Sequence, residues 1–415
     1  MERKIAIIGA GQSGLQLAIG LAKNNFSVSL FSNKTAEQIL QGNILSSQCM
    51  FGSALAFEKA LQLNFWDTLA PKNQAFTFSK IDAKTSERMI YWQGVTDQPH
   101  QSVDQRLKFS QWMNYFEEIG GNLYIQELGL DNINQIAAEH ELTIIASGKG
   151  SISQLFSKDS SRCHFDEPQR VLCCLYMHKT KPAEGLPGVR ANLIPGIGEC
   201  FAFPGLTMTG PCEMVLFEGV PGGAFDCWKK TQSVTEKLEV AKKLLKKFIP
   251  WEYERYIHAE PTDEQASLTG EYTPIIRQPF FKLADGKYVL GMGDTLVLND
   301  PIAGQGANNA SKAAHVYMEN IIKRGHLPFD NIWMHKTFED YWERYGRWST
   351  QWSTMLLLPP PPHVVSLLNA ASQSQTVANL LANSFDNPAT LFPWITDNNC
   401  TSSKIKSILE LGLSS

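Results

Sequence analysis

The sequence predicts an α/β fold in which a parallel sheet is interleaved with an antiparallel one and followed by C-terminal helices. Three observations predict it. A glycine-cornered turn follows an apolar run at the start of the chain, a second glycine-rich turn lies far downstream between Gly291 and Gly306, and the stretch between them breaks into short alternating runs punctuated by Pro and Gly.

Taken in order, Ile5 to Ile8 has the character of a buried strand, Leu15, Ala18, Ile19 and Ala22 recur at helical spacing, and Val28 to Phe31 is the next strand. Leu123 to Ile125 and Leu142 to Ala146 extend the same parallel sheet. From about Phe165 to Phe225, runs such as Arg170 to Met177 and Met214 to Glu218 read as antiparallel strands. Val234 to Phe248 reads as a surface helix, with Leu238, Ala241, Leu244, Leu245 and Phe248 on one face and Lys237, Lys242, Lys243, Lys246 and Lys247 largely on a solvated one. Tyr288 to Gly291 returns to the parallel style and a helix starts near Ala307. The remainder is helical and rich in tryptophan, interrupted by Pro359 to Pro362, which must be a non-helical connector. Tyr341, Trp342, Tyr345, Trp348 and Trp352 fall at helical spacing and read as packing, with a cavity wall as the alternative. The expected division is 1–75, 100–162 and 270–328 for a first, discontinuous domain, 76–99 and 163–269 for a second, and 329–415 for the helical region.

At 415 residues the chain is long enough for two domains and a buried cofactor. Charged residues are 19%, apolar ones 43% and the formal net charge is −4, which argues against a polyanionic partner and against nucleic acid. The eight cysteines form no CxxC pair and have no ligand-like spacing with the nine histidines, so neither a metal nor a disulfide framework is expected. The basic start is followed by an apolar run that Gly9, Gly11 and Gln12 break too early for a signal peptide, and no run of about 18 apolar residues could span a bilayer. The cytoplasm is therefore the expected compartment.

Gly9-x-Gly11-x-x-Gly14 follows a strand and opens a helix, the context that lifts this motif above chance. Gly9 permits the tight turn, Gly11 lets backbone approach a pyrophosphate, and Gly14 allows close packing of the helix, whose N-terminus offers free amides beside Ser13. A turn without a ligand is the alternative. At the end of the second strand, where an acidic residue normally holds a ribose, stand Ser32, Asn33 and Lys34, which suits a dinucleotide held less firmly.

The segment Gly291 to Ser311 resembles the second FAD fingerprint of flavoprotein hydroxylases. That resemblance implies FAD in a Rossmann domain of glutathione-reductase type. It places Asp294 on the ribityl chain and the turn of Pro301, Gly304, Gln305 and Gly306, with Ala307 and Asn308, beside the flavin ring. A helix tip aimed at the pyrimidine edge would stabilise reduced flavin by about 1 kcal/mol. Self-sufficient hydroxylases carry an Asp-Gly pair where this chain has Ser147-Gly148-Lys149, so the nicotinamide is expected to be oxidised on a separate protein.

With these residues the chain resembles the styrene and indole monooxygenases, two-component epoxidases that use external FAD, and within them the indole oxygenase component. The resemblance runs end to end. It rests on the first fingerprint, Val103-Asp104-x-Arg106-Leu107, Ser147-Gly148-Lys149, Asp300-Pro-x-x-Gly-Gln-Gly-Ala-Asn308, and Ala371-Ser372-Gln373-Ser374. It implies an FAD contact for Arg106, with a structural ion pair to Asp104 as the alternative. Ser46, Gln48 and Met50 match the indole pattern; alternate spacing would put them on one face, with Gln48 facing an indole N–H and Met50 an apolar wall.

The mechanism implied has FADH2 from an NADH-dependent flavin reductase react with O2 to a C4a-hydroperoxide, which epoxidises indole at the 2,3 bond and leads to indoxyl and indigo. No side-chain acid, base or nucleophile is assigned, and the protein's task is a dry, orienting cavity. The alternatives are a styrene epoxidase of the same family, a non-catalytic binding protein on this fold, and a self-contained NAD(P)H-dependent enzyme.

Overall fold

The computed structural model describes residues 3–229 and 232–412, so the first two residues of the basic N-terminal run and the last three of the helical tail lie outside the described residues. Ile5, Ala6 and Ile7 are fully buried in the strand Lys4–Ile8, at the centre of a six-stranded sheet. Across that sheet the strands run Phe280–Lys282, Tyr288–Gly291, Leu142–Ile145, Lys4–Ile8, Ser27–Ser32 and Asn122–Ile125. Every pairing is parallel except the terminal one between Phe280–Lys282 and Tyr288–Gly291. Parallel strands need crossovers, and helix Gln12–Lys23 supplies the first one.

The second sheet has eight strands. Its backbone order is Glu260–Pro261, Val171–His178, Gly210–Gly219, Gly198–Thr207, Gly188–Ile194, Asn73–Ile81 and Arg88–His100, with Ser267–Glu271 also paired to Val171–His178. One pairing departs from the antiparallel expectation: Asn73–Ile81 lies parallel to Gly188–Ile194. The hairpin from 73 to 100 is entered from the first sheet and returns to it, so the connection, and not a local turn, sets the direction of its first strand.

Helix Val234–Phe248 starts at a capping box between Ser233 and Glu236 and buries Leu238, Ala241, Leu245 and Phe248. Lys237 corrects the solvated-lysine expectation, because it is buried and its Nζ donates to Ser267 Oγ at 3.2 Å. Positions 234, 237 and 241 lie on one face at spacings of three and four, so the stem of Lys237 packs within the apolar stripe and its ammonium reaches the rim.

The tail comprises helices Asn331–Tyr341, Arg347–Leu357, Pro362–Ala371, Gln375–Asn383 and Asn398–Gly412, with a π-helical turn at Trp342–Gly346. The proline run separates two of them and places Pro362 in the first turn of the next. The tail shares a hydrophobic core with the second sheet. Asn379 and Asn383 side chains accept from the backbone N–H of Val95 and Asp97, both at 2.8 Å, which satisfies part of that sheet's edge. Among the described residues, no helix is long and apolar enough to cross a membrane.

Candidate active site

A cavity of about 590 Å³ opens between the two sheets, lined by both glycine turns at one end and by aromatic side chains at the other. At the first turn Gly9 donates its N–H to Phe31 O at 2.9 Å and adopts φ +118°. A Cβ there would stand 2.2 Å from Ala146 O, and one on Gly14 would stand 1.9 Å from Gly9 O, so both positions exclude a side chain. A Cβ on Gly11 would meet nothing within 4 Å. Gly11, Gln12 and Ser13 line the cavity, and the helix they open has no side-chain cap, leaving N–H groups for a ligand. Ser32, Asn33 and Lys34 line the same end, with Ser32 Oγ spent on a local turn to the Lys34 N–H and carbonyl.

The second turn faces the first. Asp300 accepts the Ile302 N–H at 3.1 Å and starts the short turn Pro301–Ala303, which ends at Gly304 in the left-handed region. Pro301, Gly304, Gly306 and Ala307 line the cavity. Gln305 and Asn308 lie behind them. The Gln305 amide donates to Ala303 O and Phe385 O, while Asn308 accepts the Phe51 N–H and donates to Cys49 O and Gly304 O, all at 2.8–2.9 Å. Helix Gly306–Arg324 also begins without a side-chain cap. Asp294 lines the cavity, its carboxyl raised by burial against the opposing charge of Lys149. Lys149, which sits 3.7 Å over the Tyr272 ring, is lowered by burial. Ser147 Oγ is buried at the same end without a partner among the described residues.

Arg106 is fully buried and is not among the residues lining the cavity. Its guanidinium is bound by Asp104 at 2.7 Å and Asp263 at 2.9 Å, and Nη1 donates to Gly42 O at 3.1 Å. Burial opposes its charge, but these carboxylates outweigh burial and hold its pKa above the ordinary value. The arginine therefore clamps the start of the segment that carries Ser46, Gln48 and Met50.

Ser46 and Gln48 line the cavity; Met50 is buried outside it. Ser47, Cys49 and Phe51 also line the cavity, so the run does not alternate, and Met50 alone is turned from the wall, its N–H and carbonyl paired with Gln101 at 2.8 and 3.0 Å. Gln48 Nε2 donates to Val103 O, which fixes the amide orientation and leaves Oε1 buried without a donor among the described residues. Ser46 Oγ is likewise unpartnered. Cys49 also lines this wall, its thiol pushed up to about 12 by burial, so it stays neutral and unreactive at physiological pH.

Sequence reasoning missed the apolar end. Cross-strand neighbours Phe76 and Val189, and Phe201 and Leu216, present one face of the second sheet to the cavity, with Phe203 beside them. Phe385 arrives from the tail and stacks on Phe76 with centroids 4.0 Å apart. Alternation at Phe201 and Phe203 was a signal; nothing local marks Phe385.

Residues 148–255 match the family model "Styrene monooxygenase A putative substrate binding domain". That stretch includes Val189, Phe201, Phe203 and Leu216. The chain is 26% identical over 401 residues to styrene monooxygenase StyA of Pseudomonas fluorescens, covering 94% of both chains, and 26% identical over 402 residues to the StyA of a Pseudomonas species, again covering 94% of each. Among solved structures it is similar to a flavoprotein/dehydrogenase from Cytophaga hutchinsonii, with TM-score 0.70, 14% identity and coverage of 98% and 99% of the two chains. It is also similar to the flavin-dependent brominase Bmp2, with TM-score 0.66, 12% identity and full coverage of both. These structural likenesses show the fold.

Proposed function

We propose that the chain, similar to styrene monooxygenases along most of its length, is a flavin-dependent monooxygenase of that family and the oxygenase component of a two-component system that epoxidises indole. Reduced FAD, delivered by a separate NADH-dependent reductase, would supply the two electrons that activate O2, one of whose oxygen atoms is transferred while the other leaves as water. The residues present fit this cofactor. The open space over Gly11 and two uncapped helix tips facing one cavity suit a pyrophosphate and an electron-rich ring edge, and Asp294 is placed to accept from a ribityl chain.

In this reading Gly9, Gly11, Ser13 and Gly14 form the phosphate turn, and Pro301, Gly304, Gly306 and Ala307 flank the ring. Gln305 and Asn308 hold that turn through their amides, and Arg106, instead of contacting the cofactor, anchors Gly42 at the start of the segment that carries Ser46 and Gln48. The absence of a carboxylate at Ser147 and at Ser32–Lys34 supports a cofactor that arrives reduced and exchanges.

Substrate choice rests on Gln48. Gln48 lines the cavity and its Oε1 is buried without a donor among the described residues; a small rotation of the amide towards the cavity would let it accept an indole N–H, which styrene lacks. The aromatic face made by Phe76, Phe201, Phe203 and Phe385 holds a flat ring by offset stacking and keeps water out. The product expected is the 2,3-epoxide, leading to indoxyl and indigo. Styrene epoxidation is the second reading, favoured by the aromatic face, which makes no demand for an N–H.

The test is product analysis with indole and styrene in competition, using FAD, NADH and an unrelated flavin reductase. The wild-type protein should prefer indole and form blue pigment. Gln48→Leu should lose about tenfold in kcat/KM for indole, about 1.4 kcal/mol, and little for styrene. Equal loss on both substrates would remove Gln48 from this role.

A further inference from the structure

Behind the turn that lines the cavity lies a buried group of ionisable side chains with no part in the reading above. Arg170 and Glu199 form a two-pronged ion pair, Nε at 2.7 Å from one carboxylate oxygen and Nη2 at 3.0 Å from the other. Glu218 faces Glu199 directly across the sheet, in the register between Gly198–Thr207 and Gly210–Gly219. It is completely buried, and no donor among the described residues reaches either of its oxygens. Its side-chain partner is another acceptor, the carboxyl of Asp300. Asp300 is the residue that caps the Pro301–Ala303 turn through the Ile302 N–H.

Three carboxyls around one guanidinium cannot all be ionised here. Glu199 already matches Arg170, and each further buried carboxylate without a donor costs several kcal/mol. Two carboxyls attract each other only when one holds a proton. The proton belongs on Glu218, because Asp300 has a backbone donor and Glu218 has none. Burial and then the charge of Asp300 raise the Glu218 carboxyl well above the ordinary range. The other titratable groups facing the pair are Tyr272, kept neutral by burial, and Lys149, whose charge acts on Asp294 and Asp300.

We propose that Glu218 holds a proton and donates it in a hydrogen bond to the Asp300 carboxylate, which makes Glu218 the positioning residue for the cavity-lining turn Pro301–Gly306. The protonation is a property of the folded chain alone; its effect on flavin binding rests on the function proposed above.

Infrared difference spectroscopy of the flavin-free protein tests the first part. The carbonyl band of a protonated carboxyl should vanish in Glu218→Gln and persist, shifted, in Asp300→Asn. Loss of the band in Asp300→Asn with retention in Glu218→Gln, or no such band in the wild type, overturns the assignment. If neither variant folds, absence of the band from the wild-type protein in mildly alkaline buffer still overturns it. Anaerobic titration with reduced FAD tests the second part. Glu218→Gln, which keeps a donor, should bind within about threefold of wild type and Glu218→Leu about tenfold more weakly. Equal affinity for the leucine variant overturns the positioning role. If the wild type itself binds no flavin, the functional reading fails while the infrared result stands.

Discussion

Gly9 and His100 show two ways in which one residue governs this fold. At Gly9 the backbone conformation and the neighbouring Ala146 carbonyl both exclude a side chain. Gly9→Ala should therefore destabilise the protein by several kcal/mol, read as a lowered midpoint in urea unfolding, and an unchanged midpoint contradicts the turn geometry. His100 is buried with neither ring nitrogen bonded among the described residues, and burial pushes its pKa from 6.5 down to about 4. Protons therefore favour the unfolded chain. The stability is complete above about pH 6.5 and is lost as pH falls towards 4, by up to about 3 kcal/mol. His100→Gln should flatten that acid limb, and an unaltered stability profile would show that other groups cause it. The glycines were legible in the sequence because a tight turn is a local demand. Gln48 was legible as a polar residue at alternate spacing, but its free acceptor depends on Val103, brought near by the fold. Met50 could not be placed from spacing alone, because its bridge to Gln101 is a long-range pairing, and Cys49 and Phe51 on either side of it line the cavity instead.

Among the elements, the tail does more than its composition announced. Phe385 forms part of the cavity, Gln305 donates to its carbonyl, and the Asp386 carboxylate accepts from Ser53 N–H and Oγ. Phe385→Ala should cost about 3 kcal/mol in stability and shift turnover towards bulkier aromatic substrates, and an unchanged substrate range would remove the tail from the site. Helix Gln375–Asn383 covers the Arg88–His100 edge through two asparagine side chains. With Asn379→Ala and Asn383→Ala together, hydrogen exchange at the Val95 and Asp97 amides should accelerate about fivefold, since each bond contributes about 1 kcal/mol. Unchanged protection would mean the edge is held by packing alone. Helical periodicity identified these segments but not their partners. The π-turn at Trp342–Gly346 was equally hidden, because an inserted residue leaves the aromatic spacing looking regular. Lys237 shows the same limit, since its type suggested solvent while its position on the helix face set its burial.

For the whole molecule, the first sheet was readable from its start, where an apolar run, a glycine turn and a helix occur in one short stretch. The parallel pairing of Asn73–Ile81 with Gly188–Ile194 was not, because strands so far apart in sequence carry no mark of their mutual direction. The cavity is a product of that pairing. Its polar end comes from the parallel sheet and its aromatic end from the second sheet and the tail, so neither half builds it alone. The account stands on a flavin occupying this space, with the two helix tips at one side and the aromatic face at the other. Anaerobic titration with reduced FAD, followed by tryptophan fluorescence, tests it most directly. One equivalent should bind to the wild type and bind markedly more weakly to Asp294→Ala; a folded wild-type chain that takes up neither reduced nor oxidised FAD would contradict the account.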